Sequence, residues 1–514
     1  MTRADTTLYR HLLDHLPAHA AAAAPTSVAL RDAQGSLGYA EFDAAITACA
    51  HGLLDLDLQR GERVGIYLDK RRESVIAAFG AARAGGVFVP INPLLKPTQV
   101  EHILRDCNVR ILITSAERRD VLQPVLPACP DLRQVICLGA EWDALLTAPA
   151  GNTHRVIDSD MAAIFYTSGS TGRPKGVMLS HRNLVSGAAS VASYLGNHAG
   201  DRLIAALPLS FDAGFSQVTT AFHAGAEVVL HNYLLPQDLL KTLVREKVTG
   251  LTAVPPLYMQ LVQQSWPAGL DEHLRYFANT GGRMPLATLQ QLRAALPRSQ
   301  PYLMYGLTEA FRSTYLPPAE VDARPDSIGK AIPNAEVLVL RPDGSECAAD
   351  EPGELVHRGP LVAMGYWNDA AATAQRFKPL PRAPGQTLDE IAVFSGDTVR
   401  RDADGFLYFI GRKDEMIKTS GYRVSPTELE EAAHATGLVA ECCAYGVEDA
   451  ALGQRIQLTV VPTDAGLTSD TLLAALRTRL PAYMLPAQIT LRPTPLPRNA
   501  NGKLDRQLIG DQTR

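Results

Sequence analysis

Short apolar runs alternate with longer amphipathic stretches through the first part of the chain. RVGIYL, VFVPIN and VRILIT read as buried strands, and SVIAAFGAARAG and VEHILRDC between them carry apolar positions at helical spacing. That order predicts βαβ units on a parallel sheet between about residues 28 and 137. The texture returns from 201 to about 305, in LIAALPL, AEVVLH, DLLKTLVREK, LTAVPP and RYFANTGG, and predicts a second doubly wound layer. From 329 it changes to AEVLVLRPDG, GELVHRGP and DGFLYFIGRKD, alternating strands with Asp-Gly turns that read as hairpins or a small barrel. Beyond 414 come PTELEEAAHA (helix), VAECCAYGV and RIQLTVVPT (strands) and TLLAALRTRL (helix), a compact α+β unit. The charged GRKDE segment marks the boundary between them, dividing the chain into 1–412 and 413–514. At the other end, residues 1–16 predict a surface helix with Leu8, Leu12, Leu13 and Leu16 on one face, and the Ala20 to Ala24 run a helix end or loop.

Composition narrows the class. The 514 residues are 46% hydrophobic and 20% charged with a formal net charge of −5, ordinary for a soluble globular protein. Arginines are scattered and balanced by acids, which excludes a nucleic-acid surface. No apolar run reaches membrane-spanning length, and charges interrupt the N-terminal apolar residues too often for a secretory signal. The seven cysteines are dispersed, form no CxxC pair and read as buried thiols in a reducing compartment, so the cytoplasm is the expected address.

Residues 166–177, YTSGSTGRPKGV, carry the strongest chemical signal. Gly169, Gly172 and Gly176 allow the backbone to approach phosphate oxygens that a Cβ would push away. Thr167, Ser168, Ser170 and Thr171 supply hydroxyl donors and Lys175 a point charge. The GxxxxGK[ST] spacing of common NTPases is absent, so this is a different grip on a nucleotide triphosphate. Four more segments bear groups suited to the same ligand. YGLTE (305–309) offers the ring of Tyr305 to a purine, the permissive Gly306, and the pair Thr308 and Glu309 to Mg²⁺. SGD (395–397) offers Asp397 to ribose hydroxyls, and Arg412 opens GRKDEMIKTSGYRVSP with a fork for sugar or phosphate. NGK (501–503) places Lys503 after a glycine in a turn near the terminus. Taken singly, each also fits a helix cap or a solvated turn.

Together and in this order, YTSGSTGRPKGV, TGG, YGLTE, SGD, GRKDEMIKTSGYRV and NGK closely resemble the adenylate-forming (ANL) superfamily over essentially the whole chain. That superfamily holds AMP-forming acyl-CoA ligases, amino-acid adenylation domains and luciferase-like enzymes. The resemblance implies an α/β fold: two doubly wound sheets plus a β-barrel in a large N-terminal AMP-binding domain, and a small mobile α+β C-terminal lid. It implies that a carboxylate attacks the α-phosphorus of ATP and that a pantetheine thiol then takes the acyl group. By resemblance, Lys503 bridges the reacting groups, Thr308 and Glu309 hold Mg²⁺, and Asp397 and Arg412 the ribose. Tyr305 and the turn Gly281 and Gly282 hold the adenine, and the loop through Lys175 guides pyrophosphate. Asp414 matches the hinge, and Gly421 would line the thiol tunnel.

The acid and the thiol remain to be read. LPLSFDAGFSQ (207–217) stands where many acyl-CoA ligases have a His-containing segment, and it looks like amino-acid-activating domains. Asp212 is then either the partner of a substrate ammonium or the N-cap of a helix starting near Ala213. Arg312 either clamps a second carboxylate or turns to solvent or an internal acid. If both sharper readings hold, the substrate is a small amino diacid. Ser216, Asn279, Gly281, Met304 and Ser313 would complete the pocket. MIKTSGYRVSP is closer to stand-alone acyl-CoA ligases, NPLLKPTQVEHILRDC and the overall texture look like ligases of exosortase-linked clusters, and no carrier domain is expected to follow. CoA or a separate acyl carrier protein is therefore the expected phosphopantetheine co-substrate. The competing readings are transfer to a non-thiol acceptor and a catalytically silent adenylate-binding homologue.

Overall fold

The computed structural model describes residues 10–167, 174–382, 385–412, 415–419, 422–449, 452–499 and 504–512. The apolar runs of the first part form a six-stranded sheet in the order Gln134–Cys137, Val109–Thr114, Arg63–Tyr67, Val87–Pro90, Met161–Thr167, Lys175–Ser180. Its first five strands are parallel, and Lys175–Ser180 returns antiparallel from the glycine-rich segment. Every residue of Val87–Pro90 is buried, as a parallel strand covered on both faces requires. The expected helices are Arg72–Arg83 and Pro97–Asp106.

The second parallel layer also forms, from Arg202–Ala205, Glu227–Leu230, Gly250–Ala253, Tyr276–Asn279 and Gln300–Tyr305. Val28–Asp32 joins this layer, pairing parallel with Glu227–Leu230, and not the sheet it precedes in sequence. Phenylalanines weld the layers together: Phe88 of the first sheet lies 4.8 Å from Phe215 of helix Asp212–Ala224, and Phe79 lies 6.0 Å from Phe215. Offset or tilted aromatic pairs at such distances add to simple area burial.

The barrel expected from 329 onward is corrected to an open arrangement among the described residues. Thr314–Leu316, Ser327–Ala331, Leu407–Arg412, Ile391–Arg401, Gly353–Arg358 and Glu336–Leu340 continue the second sheet edge to edge as antiparallel strands. Among the described residues Glu336–Leu340 ladders only with Gly353–Arg358, so no hydrogen-bonded pair of these strands closes a ring. Residues 1–9 of the expected N-terminal helix lie outside the described residues, and the first described helix starts later than expected. It runs His15–Ala23, and Leu13 and Leu16 are core residues, with Leu13 N donating to His181 Nδ1 at 3.0 Å. Leu8 lies outside the described residues.

The C-terminal unit has a five-stranded sheet led by the long hairpin Val439–Asp449 and Gly453–Pro462, with helices Pro426–His434 and Ser469–Arg477. All seven cysteines are buried and unbridged, and burial pushes the thiols of Cys49, Cys107 and Cys443 up to about 12. Among the described residues no helix is long and apolar enough to cross a membrane.

Candidate active site

A cleft of about 2520 Å³ opens where the parallel strands of the second sheet end. Tyr276–Asn279 and Gln300–Tyr305 run in register, Asn279 opposite Leu303, and deliver their last residues to the carboxyl edge, the ligand side of open α/β sheets. After Asn279 the chain turns through Gly281 at φ +75°, a conformation that side chains resist. Asn279 Nδ2 fastens the turn by donating to Gly282 O at 2.8 Å. Its Oδ1 is buried with no hydrogen-bond partner among the described residues. Gly281, Gly282, Tyr305 and Gly306 thus line one stretch of the cleft wall.

Tyr305 spans to the antiparallel strands, where its hydroxyl donates to Asp397 Oδ2 at 2.5 Å. Burial first, then the Asp397 charge, hold its phenol well above the usual range, so it stays a donor. Asp397 and Arg412 are directly opposed cross-strand partners, with Arg412 Nη1 3.5 Å from Asp397 Oδ1. A carboxylate braced by a guanidinium at the end of such a cleft can accept two neighbouring sugar hydroxyls.

Thr308 and Glu309 lie on the short turn Thr308–Ala310, mostly buried yet lining the cleft. The next residue, Phe311, has φ +56° and ψ −50°, rare for a side chain with a Cβ. Packing imposes it: the ring lies so close to Gly187 that a Cβ there would meet Cδ1 at 2.3 Å. Tyr366 donates to Glu309 Oε1 at 2.5 Å, and Arg376 Nε stands 3.9 Å from the same oxygen. Burial and the Glu309 charge raise the Tyr366 phenol out of its ordinary range. Mg²⁺ is usually held by one or two carboxylates plus substrate phosphates, and Glu309 with the Thr308 hydroxyl fits that donor set. No group of three or more His, Cys, Asp or Glu side chains that could cage a metal occurs among the described residues.

Lys175 opens its strand, with Nζ 3.7 Å from Asp369 Oδ2 and 5.4 Å from the centre of the Tyr366 ring. Thr167 also lines the cleft. Ser168, Gly169, Ser170, Thr171 and Gly172 lie outside the described residues, as do Asp414, Gly421 and Lys503. Arg498, Asn499, Leu504 and Asp505, on either side of Lys503, line the cleft.

The two residues expected to face the acid face each other. Asp212 is the first residue of its helix, with Phe211 as N-cap, so it does not cap that helix. Its Oδ1 accepts from Thr308 Oγ1 at 3.2 Å, and its Oδ2 is 3.5 Å from Arg312 Nη1. Arg312 is almost wholly buried, and its Nε has no hydrogen-bond partner among the described residues. Of the two, neither lines the main cleft; Arg312, Ser216 and Met304 line a void of about 20 Å³ behind it. Met304 and Asn279 line the main cleft, whereas Ser313 is turned away to His357, with its Oγ 3.0 Å from Nδ1. The sequence reading missed Tyr366 and Asp369, whose one signal is an aromatic and polar run, YWND, inside a strand-rich stretch, and Arg376, which lies beyond that run.

The AMP-binding enzyme family matches residues 17–367, and the AMP-binding enzyme C-terminal domain matches residues 428–503. A linear gramicidin synthase of Brevibacillus parabrevis is 31% identical over 94% of this chain, which spans 6% of that protein's length. The L-proline--[L-prolyl-carrier protein] ligase of Pseudomonas fluorescens is 30% identical over 98% of this chain and 99% of its own. ATP-bound MatB from Rhodopseudomonas palustris superimposes with a TM-score of 0.88 at 26% identity, covering 98% of this chain and 99% of that one; apo MatB gives 0.78. Matched over residues 17–367 and 428–503, this chain belongs to the AMP-binding enzyme family.

Proposed function

We propose that this chain is an acid–thiol ligase that activates a small carboxylic acid with Mg²⁺ and ATP. An oxygen of the carboxylate attacks the α-phosphorus, the bond to the β-phosphate breaks, and pyrophosphate leaves an acyl-adenylate. A pantetheine sulfur, on CoA or on a separate acyl carrier protein, then attacks the acyl carbon; AMP leaves with the bridging oxygen and the thiol gives up its proton. The observation that carries this reading is the convergence of Tyr305, Thr308, Glu309, Asp397 and Arg412 on one cleft from separate segments of the chain. Preorganised donors and a metal turn in such a cleft stabilise charge that grows on the phosphates. In the first step, Lys503 would neutralise the carboxylate and phosphate as they meet. The better superposition on ATP-bound than on apo MatB supports an arrangement suited to that step. The carrier-protein acceptor is supported by the name of the full-length relative from Pseudomonas fluorescens, a prolyl-carrier protein ligase. Buried, unbridged thiols support a reducing, cytoplasmic setting.

The acid is small, and the finer reading is an amino acid or amino diacid. The space behind Met304 has room for about one water-sized group, and Asp212 and Arg312 together are electrically balanced. A substrate carrying both an ammonium and a second carboxylate can insert between them without leaving either charge unpaired. The test is ATP–pyrophosphate exchange across amino acids, amino diacids, short acids and fatty acids, with no thiol present. Exchange confined to amino diacids or small amino acids supports the full reading. Exchange with fatty acids alone would overturn the small-acid assignment, and no exchange with any acid the ligase assignment.

A further inference from the structure

Nucleotide triphosphate in the cleft carries more negative charge than one Mg²⁺ and Lys175 can neutralise, and Arg376 stands where another cation is needed. Arg376 ends helix Ala370–Arg376 and lines the cleft with about a fifth of its side chain exposed. Its Nη1 donates to Phe394 O at 3.2 Å and to Ser395 O, which fixes the guanidinium beside the turn that carries Asp397. The approach is close: a Cβ on Gly396 would meet Nη1 at 2.6 Å. On its other side Nε faces Glu309 Oε1 at 3.9 Å, beyond hydrogen-bond reach. Tyr366 donates a hydrogen bond to that carboxylate, and Lys175 lies against the Tyr366 ring and Asp369. Segment 366–376 therefore brings together two cations, Lys175 against Tyr366 and Asp369, and Arg376 beside Glu309, whose carboxylate accepts from Tyr366.

We propose that Arg376 is a polyphosphate-binding residue, a second cationic arm that takes the β- and γ-phosphates of Mg·ATP and the pyrophosphate they become. This rests on the ligase reading of the cleft. An arginine fork suits the task, since it offers paired donors to phosphate oxygens while its backbone-carbonyl bonds keep it in place. Before nucleotide arrives, the guanidinium balances Glu309 at a distance that leaves the carboxylate open to a metal. A purely architectural arginine at the same place would support the Asp397 turn, and with it the ribose, regardless of how many phosphates follow.

The two roles separate in binding. Calorimetric titration of Arg376→Ala with Mg·ATP, Mg·pyrophosphate and AMP, against the unmodified protein, reads them directly. The expected result is a loss of about tenfold or more for Mg·ATP and Mg·pyrophosphate, with AMP changed by less than about threefold. Arg376→Lys, which keeps charge but not the fork, should recover part of the loss and serves if the alanine variant fails to fold. Equal losses for ATP and AMP would overturn the proposal and leave Arg376 as a support of the ribose turn. Failure of the unmodified protein to bind either nucleotide would instead overturn the ligase reading beneath it.

Discussion

Asp212 and Arg312 show how one residue of register decides a role. Sequence placed Asp212 at a helix start, where a side chain either caps the helix or projects to a ligand. Phe211 takes the cap position, and Asp212, one step later, turns to Thr308 and Arg312. The pair and Thr308 join helix Asp212–Ala224 to the turn Thr308–Ala310, and both Asp212 and Arg312 are nearly inaccessible to water. Removing one member of such a pair strands the other charge in a low-dielectric setting. Arg312→Ala is expected to cost about 3–5 kcal/mol of stability, read from urea unfolding. Replacing both residues with apolar ones of similar volume should cost less than the single change, because no orphan charge remains. A single-variant loss below about 1 kcal/mol would show that Asp212 is well served without Arg312.

Most elements were legible because their signals are local. Strand and helix periodicities in the two parallel layers are set by which faces are buried, and each expected strand from RVGIYL to RYFANTGG is present. Which sheet a strand joins is a long-range choice. Val28–Asp32 pairs with a strand some two hundred residues later, and the antiparallel strands stay open because closure needs one more ladder than the described residues make. Strand Gly353–Arg358 carries a consequence of this kind in His357, an unremarkable residue in sequence and fully buried behind Ser313. Burial lowers its imidazole from the ordinary 6.5 to about 4, so the unfolded chain binds a proton there before the folded one does. Stability from this group is complete above pH 6.5 and is lost as pH falls toward 4, by about 3 kcal/mol in all. His223 is lowered to about 4 as well and adds a slope of the same sign. His357→Gln should therefore flatten, without abolishing, the fall in urea midpoint between pH 6.5 and 4. An unchanged slope would mean the site accommodates the imidazolium.

At the scale of the molecule, apolar packing divides where charge and composition change in the sequence. Among the described residues every hydrophobic cluster is built either from residues before 412 or from residues after 416, and none crosses. What crosses is polar: Arg283, next to the Gly282 turn, pairs with Glu431 of helix Pro426–His434, and Ser425 Oγ donates to Ile410 O at 2.6 Å. The sequence carries no sign of this pairing, since partly exposed ion pairs leave no periodic trace. Partly exposed pairs are worth about 1 kcal/mol or less, so the smaller unit is held over the cleft by contacts weak enough to exchange. Residues 1–412 made alone are accordingly expected to unfold cooperatively in a calorimeter, within about 4 °C of the corresponding transition in the whole chain. They keep Tyr305, Asp397 and Arg412 and should still bind AMP. They lack Lys503 and should show no acid-dependent pyrophosphate exchange. A fragment that aggregates or melts without a cooperative transition would show that the boundary lies elsewhere. One that folds and still exchanges pyrophosphate at the parent rate would remove Lys503 from the first half-reaction.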